Sequence, residues 1–165
     1  MDFSITGIAN SFEQRDKWDC ATSSGLRYTL RSPLSSKVYW DTYAYEPIEG
    51  FSDGVQRLTD IRSSQKFLMA RLKRNSLVPA LSAFGGLAIY KSHVLAGQHY
   101  AAVKNDDTEV PILCEHVKLH RSISQSNDRF RLVINPLQEL RYESLGTTLK
   151  RNLSNFISQG SVRNS

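Results

Sequence analysis

The densest group of residues able to do chemistry is "CEHVKLH", Cys114 to His120. His116 and His120 stand four apart, so on a helix they share a face, a spacing that can chelate a metal ion. The order is not His-Glu-x-x-His, because Glu115 precedes the first histidine and no glutamate lies between the two. In the plainer reading His120 is a surface residue and His116 a hydrogen-bonded partner. Glu115 falls in the first turn of a predicted helix that follows a loop. A carboxylate there can act as general base or accept a substrate hydroxyl. Complementing the helix dipole is the simpler role for the same group.

A second candidate is "SAFGGLAIYKS", Ser82 to Ser92, which sets Gly85 and Gly86 inside residues that otherwise read as strand. Glycine weakens a strand interior, so its presence marks a bulge, a bend, or a place where something approaches the backbone closely. A third is "KVYWDTYAYEPIEG", dense in aromatics, with Asp41 and Glu46 among them and a stop at Pro47 and Gly50.

The elements that must position these residues alternate between strand and helix. A short helix in "SFEQRDKW" leads into a strand-like "WDCAT" that ends at the turn signal Ser23-Ser24-Gly25. Val55, Leu58, Ile61, Leu68 and Leu72 predict a helix from Ser52 to Asn75, with Asp53 near its start and Arg71, Lys73 and Arg74 in its last turn. "HYAAV" reads as a strand, "PILCEHVKLHRSISQS" as a helix opened by Pro111, and "FRLVINP" as a strand closed by Pro136. Leu149, Leu153, Phe156 and Ile157 line one side of a final amphipathic helix, about Thr147 to Ser158, before a polar tail. The expectation is one α/β layer structure. Residues 1–145 form the main domain, and 146–165 the terminal helix and tail.

Length and charge narrow the classes. The chain has 165 residues, about one domain, and its 21 Lys+Arg against 16 Asp+Glu give a net charge of +5. That balance favours phosphate-bearing partners, but the cations are dispersed over helix faces, so nucleic acid is not the expected partner. Cys20 and Cys114 are too few and too far apart for a disulfide framework, which points to a reducing, cytoplasmic setting. "MDFSITGIANSF" lacks the basic and apolar regions of a signal peptide, and no run of 18 apolar residues is present to span a membrane. No nucleotide-triphosphate loop, no dinucleotide glycine motif and no G-x-S-x-G occurs.

Taken in order, a leading Asp2, then "SF…WD", "YWDTYAYE", "SAFGGLAIY", "CEHVKLHRSI" and "INP" resemble the C-terminal half of nucleotide-sugar-dependent glycosyltransferases of GT-A architecture. The likeness is to the capsule-mannosyltransferase-like proteins, and it covers roughly Asp2 to Tyr142. It implies a partial GT-A-like mixed sheet flanked by helices, preceded by a nucleotide-binding half that is missing here. It also implies transfer of a sugar from a nucleoside-diphosphate donor to a glycan or other hydroxyl acceptor. By the same resemblance Glu115 is the catalytic base, while Phe84, Gly85, Gly86, Asp41, Glu46 and His116 bind substrate. Asp2 is the remaining member of an aspartate pair that holds Mn2+ or Mg2+, and its first aspartate is absent. A truncated or inactive copy, and a non-catalytic glycan-binding or interaction module, are the alternatives. Without the missing half, an exposed sheet edge is expected to favour association.

Overall fold

In a computed structural model, residues 2–31, 34–48, 68–100, 103–104, 112–142 and 146 are described. The fold is mixed α/β, a mixed sheet with helices packed on it, as the alternation of patterns implied. The strands are β1 (Asp2–Phe3), β2 (Cys20–Arg31), β3 (Leu34–Tyr39), β4 (Glu46–Pro47), β5 (Val78–Ser82), β6 (Ala88–Tyr90), β7 (Val103–Lys104), β8 (Ile112–Leu113) and β9 (Leu132–Arg141). The helices are α1 (Ile5–Glu13), α2, of which 68–72 is described, and α3 (Glu115–Ser126).

The main sheet runs β3-β2-β9-β5-β4, with β1 paired to β9 and β6 to β2, while β7 and β8 form a separate pair. Among the described residues, only the central β2–β9 pairing is parallel. Its core is built from Tyr39, Tyr45, Leu68, Leu72, Val78, Ala83, Leu132 and Ile134. Leu68 and Leu72 are the described members of the stripe expected between Ser52 and Asn75; residues 51–67 of that prediction, and the helix expected at 147–158, lie outside the described residues. Among the described residues, no helix is long and apolar enough to cross a membrane.

Several element boundaries differ from the sequence expectation, each for a local reason. Helix α1 begins at Ile5 because Ser4 caps it, its hydroxyl accepting from the Gly7 N–H at 3.0 Å. Ser23-Ser24-Gly25 is not a turn: β2 continues through it to Arg31, with a register shift between Ser23 and Ser24. The two hydroxyls donate to the carbonyls of Gly85 (2.6 Å) and Pro136 (3.0 Å), which anchors the irregularity. Pro136 does not close β9. In the pairing, Ser23 faces Asn135 and Ser24 faces Glu139, so the intervening residues bulge and the missing proline N–H costs no ladder bond. The segment 112–113 is strand, and α3 opens only at Glu115. His99 and Tyr100 fall outside any strand, and of "HYAAV" only Val103 is described as one.

Candidate functional site

Strand β5 ends at Ser82, and the chain turns through Phe84-Gly85-Gly86 before β6. Gly85 is buried at a φ of 63°, and a Cβ there would sit 2.1 Å from the Ser23 carbonyl oxygen. No side chain fits. Gly86 has a φ of 91°, and its Cβ would approach the Tyr142 hydroxyl to 2.6 Å. The close approach that this glycine pair permits is therefore, at least in part, to the protein's own backbone at the β2 bulge.

The turn also presents its amide to Asp41. That carboxylate accepts backbone N–H bonds from Ala44 and Gly85. Burial, with the negative charge of Glu115 adding to it, holds its carboxyl above the ordinary value of 3.8, against the opposing amide bonds and His116.

Phe84 leaves the turn and stacks on His116, ring centroids 3.7 Å apart and planes 28° from parallel. The opposite constraint comes from Tyr100, whose ring meets His116 edge-on at 5.2 Å and whose hydroxyl lies 2.8 Å from Nε2 and 3.1 Å from Nδ1. Nδ1 is also 3.9 Å from Cys114 Sγ and 3.8 Å from a Glu115 carboxylate oxygen. Burial lowers the His116 pKa below 6.5, opposed by Glu115 and Asp41. The ring is neutral near pH 7, with one nitrogen free to accept or to ligate. Glu115 itself is 42 % exposed.

Beside this cluster lies a cavity of about 460 Å³ walled by Phe84, Tyr90, Leu95, Tyr100, His116 and Leu119. Its volume is that of a small-ligand site. Behind it sits His120, which is fully buried and not at the surface as the plainer sequence reading had it. Its Nδ1 and Nε2 each lie 2.8 Å from a hydroxyl, of Ser82 and of Tyr90. Burial, with His116 nearby, lowers its pKa to about 3. The ring that shares a face with His116 thus braces Tyr90 in the cavity wall.

The structure brings together Phe84, Gly85, Asp41, Glu115 and His116, from three separate stretches of chain. Glu46, on β4, is held instead by the Arg121 guanidinium of α3 through both carboxylate oxygens. Asp2 is elsewhere, exposed on β1 opposite Arg141. Cys114 and Tyr100 are members of the cluster that sequence reasoning did not single out as site residues. Cys114 adjoins Glu115 and could have been included. Tyr100 carried no signal, since its stretch reads as ordinary strand.

Among the described residues, one group of three or more His, Cys, Asp or Glu has ligand atoms close enough to hold a metal ion: Cys114, Glu115 and His116. Asp2 is not in it, and an exposed lone carboxylate does not make a site for a hard divalent cation. The cation implied by the GT-A resemblance therefore does not fit Asp2 as it stands. Compared with known proteins, the chain matches no family model, no curated protein and no solved structure.

Proposed function

We propose that the cavity beside the Phe84–His116 stack, at the start of α3, binds a sugar, and that the chain carries the acceptor half of a glycosyl-transfer site. The observation behind this reading is the meeting of Asp41, the Gly85 amide, Phe84, Glu115 and His116 beside an aromatic cavity that Phe84 and His116 line. Sugars present apolar C–H faces and a rim of hydroxyls, so aromatic walls with polar groups of Gln98, Tyr100 and His116 among them complement both.

In this reading Glu115, the partly exposed carboxylate, takes the proton of an acceptor hydroxyl. The acceptor oxygen forms its bond to the anomeric carbon as the bond from that carbon to the donor's diphosphate oxygen breaks. The electron pair leaves with the diphosphate. Asp41, fixed by two amides, orients sugar hydroxyls, and the Phe84–His116 stack fixes the wall against which the ring lies. A nucleoside-diphosphate sugar is the donor and a glycan or other hydroxyl compound the acceptor. The free thiols of Cys20 and Cys114 suit a cytoplasmic setting. Association, where it occurs, uses the apolar surface of β1 and α1, where Phe3, Ile5 and Phe12 are exposed.

Asp2, which among the described residues belongs to no group of three or more metal-ligand side chains, favours the alternative of a glycan-binding module without catalysis. Incubation with a panel of nucleoside-diphosphate sugars and oligosaccharides decides between them. Transfer that falls at least a hundredfold in Glu115→Gln, with sugar binding retained, supports the enzyme. Sugar binding with no transfer supports the module, and no binding of either ligand overturns both.

A further inference from the structure

We propose that Cys114, Glu115 and His116 form a binding site for a transition-metal ion of the zinc class, independent of Asp2 and of the hard cation used by nucleotide-sugar chemistry. The inference stands on donor geometry and does not require the sugar-binding reading. The three ligand atoms lie within 4.8 Å of one another. The Sγ–Nδ1 and Oε1–Nδ1 separations are 3.9 and 3.8 Å. A tetrahedral zinc site with bonds of about 2.0–2.3 Å has ligand-to-ligand edges of about 3.4–3.6 Å. Small side-chain rotations close that gap.

The surroundings are those a ligating histidine needs. His116 Nδ1 lies 3.9 and 3.8 Å from the other two donors, and the Tyr100 hydroxyl, 2.8 Å from Nε2 and 3.1 Å from Nδ1, can take the N–H of the nitrogen that does not ligate. Phe84 on one ring face and Tyr100 at the edge hold the imidazole in place before metal arrives. Asp41 adds a carboxylate close enough to act electrostatically on Cys114, Glu115 and His116, which offsets the unfavourable positive end of α3. A sulfur, an imidazole nitrogen and one carboxylate select Zn2+ or Co2+ over Mg2+ or Mn2+. Three protein ligands leave the fourth position open to water or a ligand. A metal-bound Glu115 has given up a lone pair, so metal loading also suppresses any step in which that carboxylate takes a proton.

Cobalt reports this site directly. The full-length chain, reduced and titrated with Co2+, is expected to develop the intense visible bands of tetrahedral cobalt together with a thiolate charge-transfer band, and to lose both on addition of Zn2+ but not of Mg2+. Cys114→Ser should remove the charge-transfer band, and Glu115→Gln should weaken Co2+ binding at least tenfold. Asp2→Ala and Cys20→Ser should leave the spectrum unchanged. Circular dichroism of each variant checks that the fold is kept. Absence of the thiolate band in the wild-type chain, or its persistence in folded Cys114→Ser, overturns the proposal. Sugar binding, measured without metal, is read separately and is unaffected by either result.

Discussion

The rings of Phe84 and His116 lie 3.7 Å apart in a stacked pair that joins the β5–β6 turn to the first turn of α3. This contact holds the cluster together, because Gly85 next to it donates to Asp41 and Glu115 precedes His116. Phe84→Leu keeps an apolar side chain but loses the stack. It is expected to cost about 1 kcal/mol in denaturant unfolding. With less of the ring buried, the His116 pKa should move back up toward 6.5 in an NMR titration.

Two of the positive-φ glycines, Gly85 and Gly97, should respond very differently to alanine. At Gly85 the new Cβ meets the Ser23 carbonyl, whereas at Gly97 nothing lies within 4 Å. Gly97→Ala should cost only the left-handed backbone strain, about 1–2 kcal/mol. Gly85→Ala adds the clash and should cost about 2–5 kcal/mol or prevent folding. Equal melting points for the two variants would show that Gly85 is not tightly packed against the β2 bulge.

His120 makes stability depend on pH with a defined sign. Its folded pKa of about 3 lies below the unfolded value near 6.5. The unfolded chain therefore binds the extra proton first. The contribution is fully present above about pH 6.5 and is lost as pH falls toward 3, at up to about 1.4 kcal/mol per pH unit. Urea unfolding at several pH values should show a steeper loss for the wild-type chain than for His120→Gln. Parallel curves would place a charged or exposed histidine at this position.

Asp19 ties three segments together. It accepts from the Arg131 backbone N–H at 3.0 Å, from the Arg131 Nε at 3.1 Å and from the Lys91 Nζ at 3.1 Å. Asp19→Ala leaves these donors without their acceptor at the start of β2 and should cost about 1–3 kcal/mol in thermal or urea unfolding. A change within experimental error would mean that water replaces the carboxylate freely.

Much of the fold was legible in the sequence, since Leu68 and Leu72 at helical spacing and the apolar runs at the start of β2 and in β9 mark core faces. The boundaries were less so. Ser23-Ser24-Gly25 carries turn chemistry, yet parallel pairing with β9 holds it in strand, and Pro136 is tolerated only because the partner strand is bulged there. Neither partner is visible locally. The chemistry of "CEH" was legible, but not which side of α3 faces inward. That is set by packing against β5, which buries His120 against Ser82 and leaves His116 at the cavity. Tyr100 joins the site across 16 residues of chain, a contact that no spacing rule encodes.

The central claim is that one cleft at the start of α3 takes the sugar, and backbone amide NMR of the labelled chain tests it most directly. Titration with a nucleoside-diphosphate sugar, and separately with oligosaccharides, is expected to move the Ala44, Gly85, Glu115 and His116 amides together, with one dissociation constant. Amides of β1 and α1 should stay still. Shifts confined to β1 and α1, or none anywhere at millimolar sugar, would contradict it.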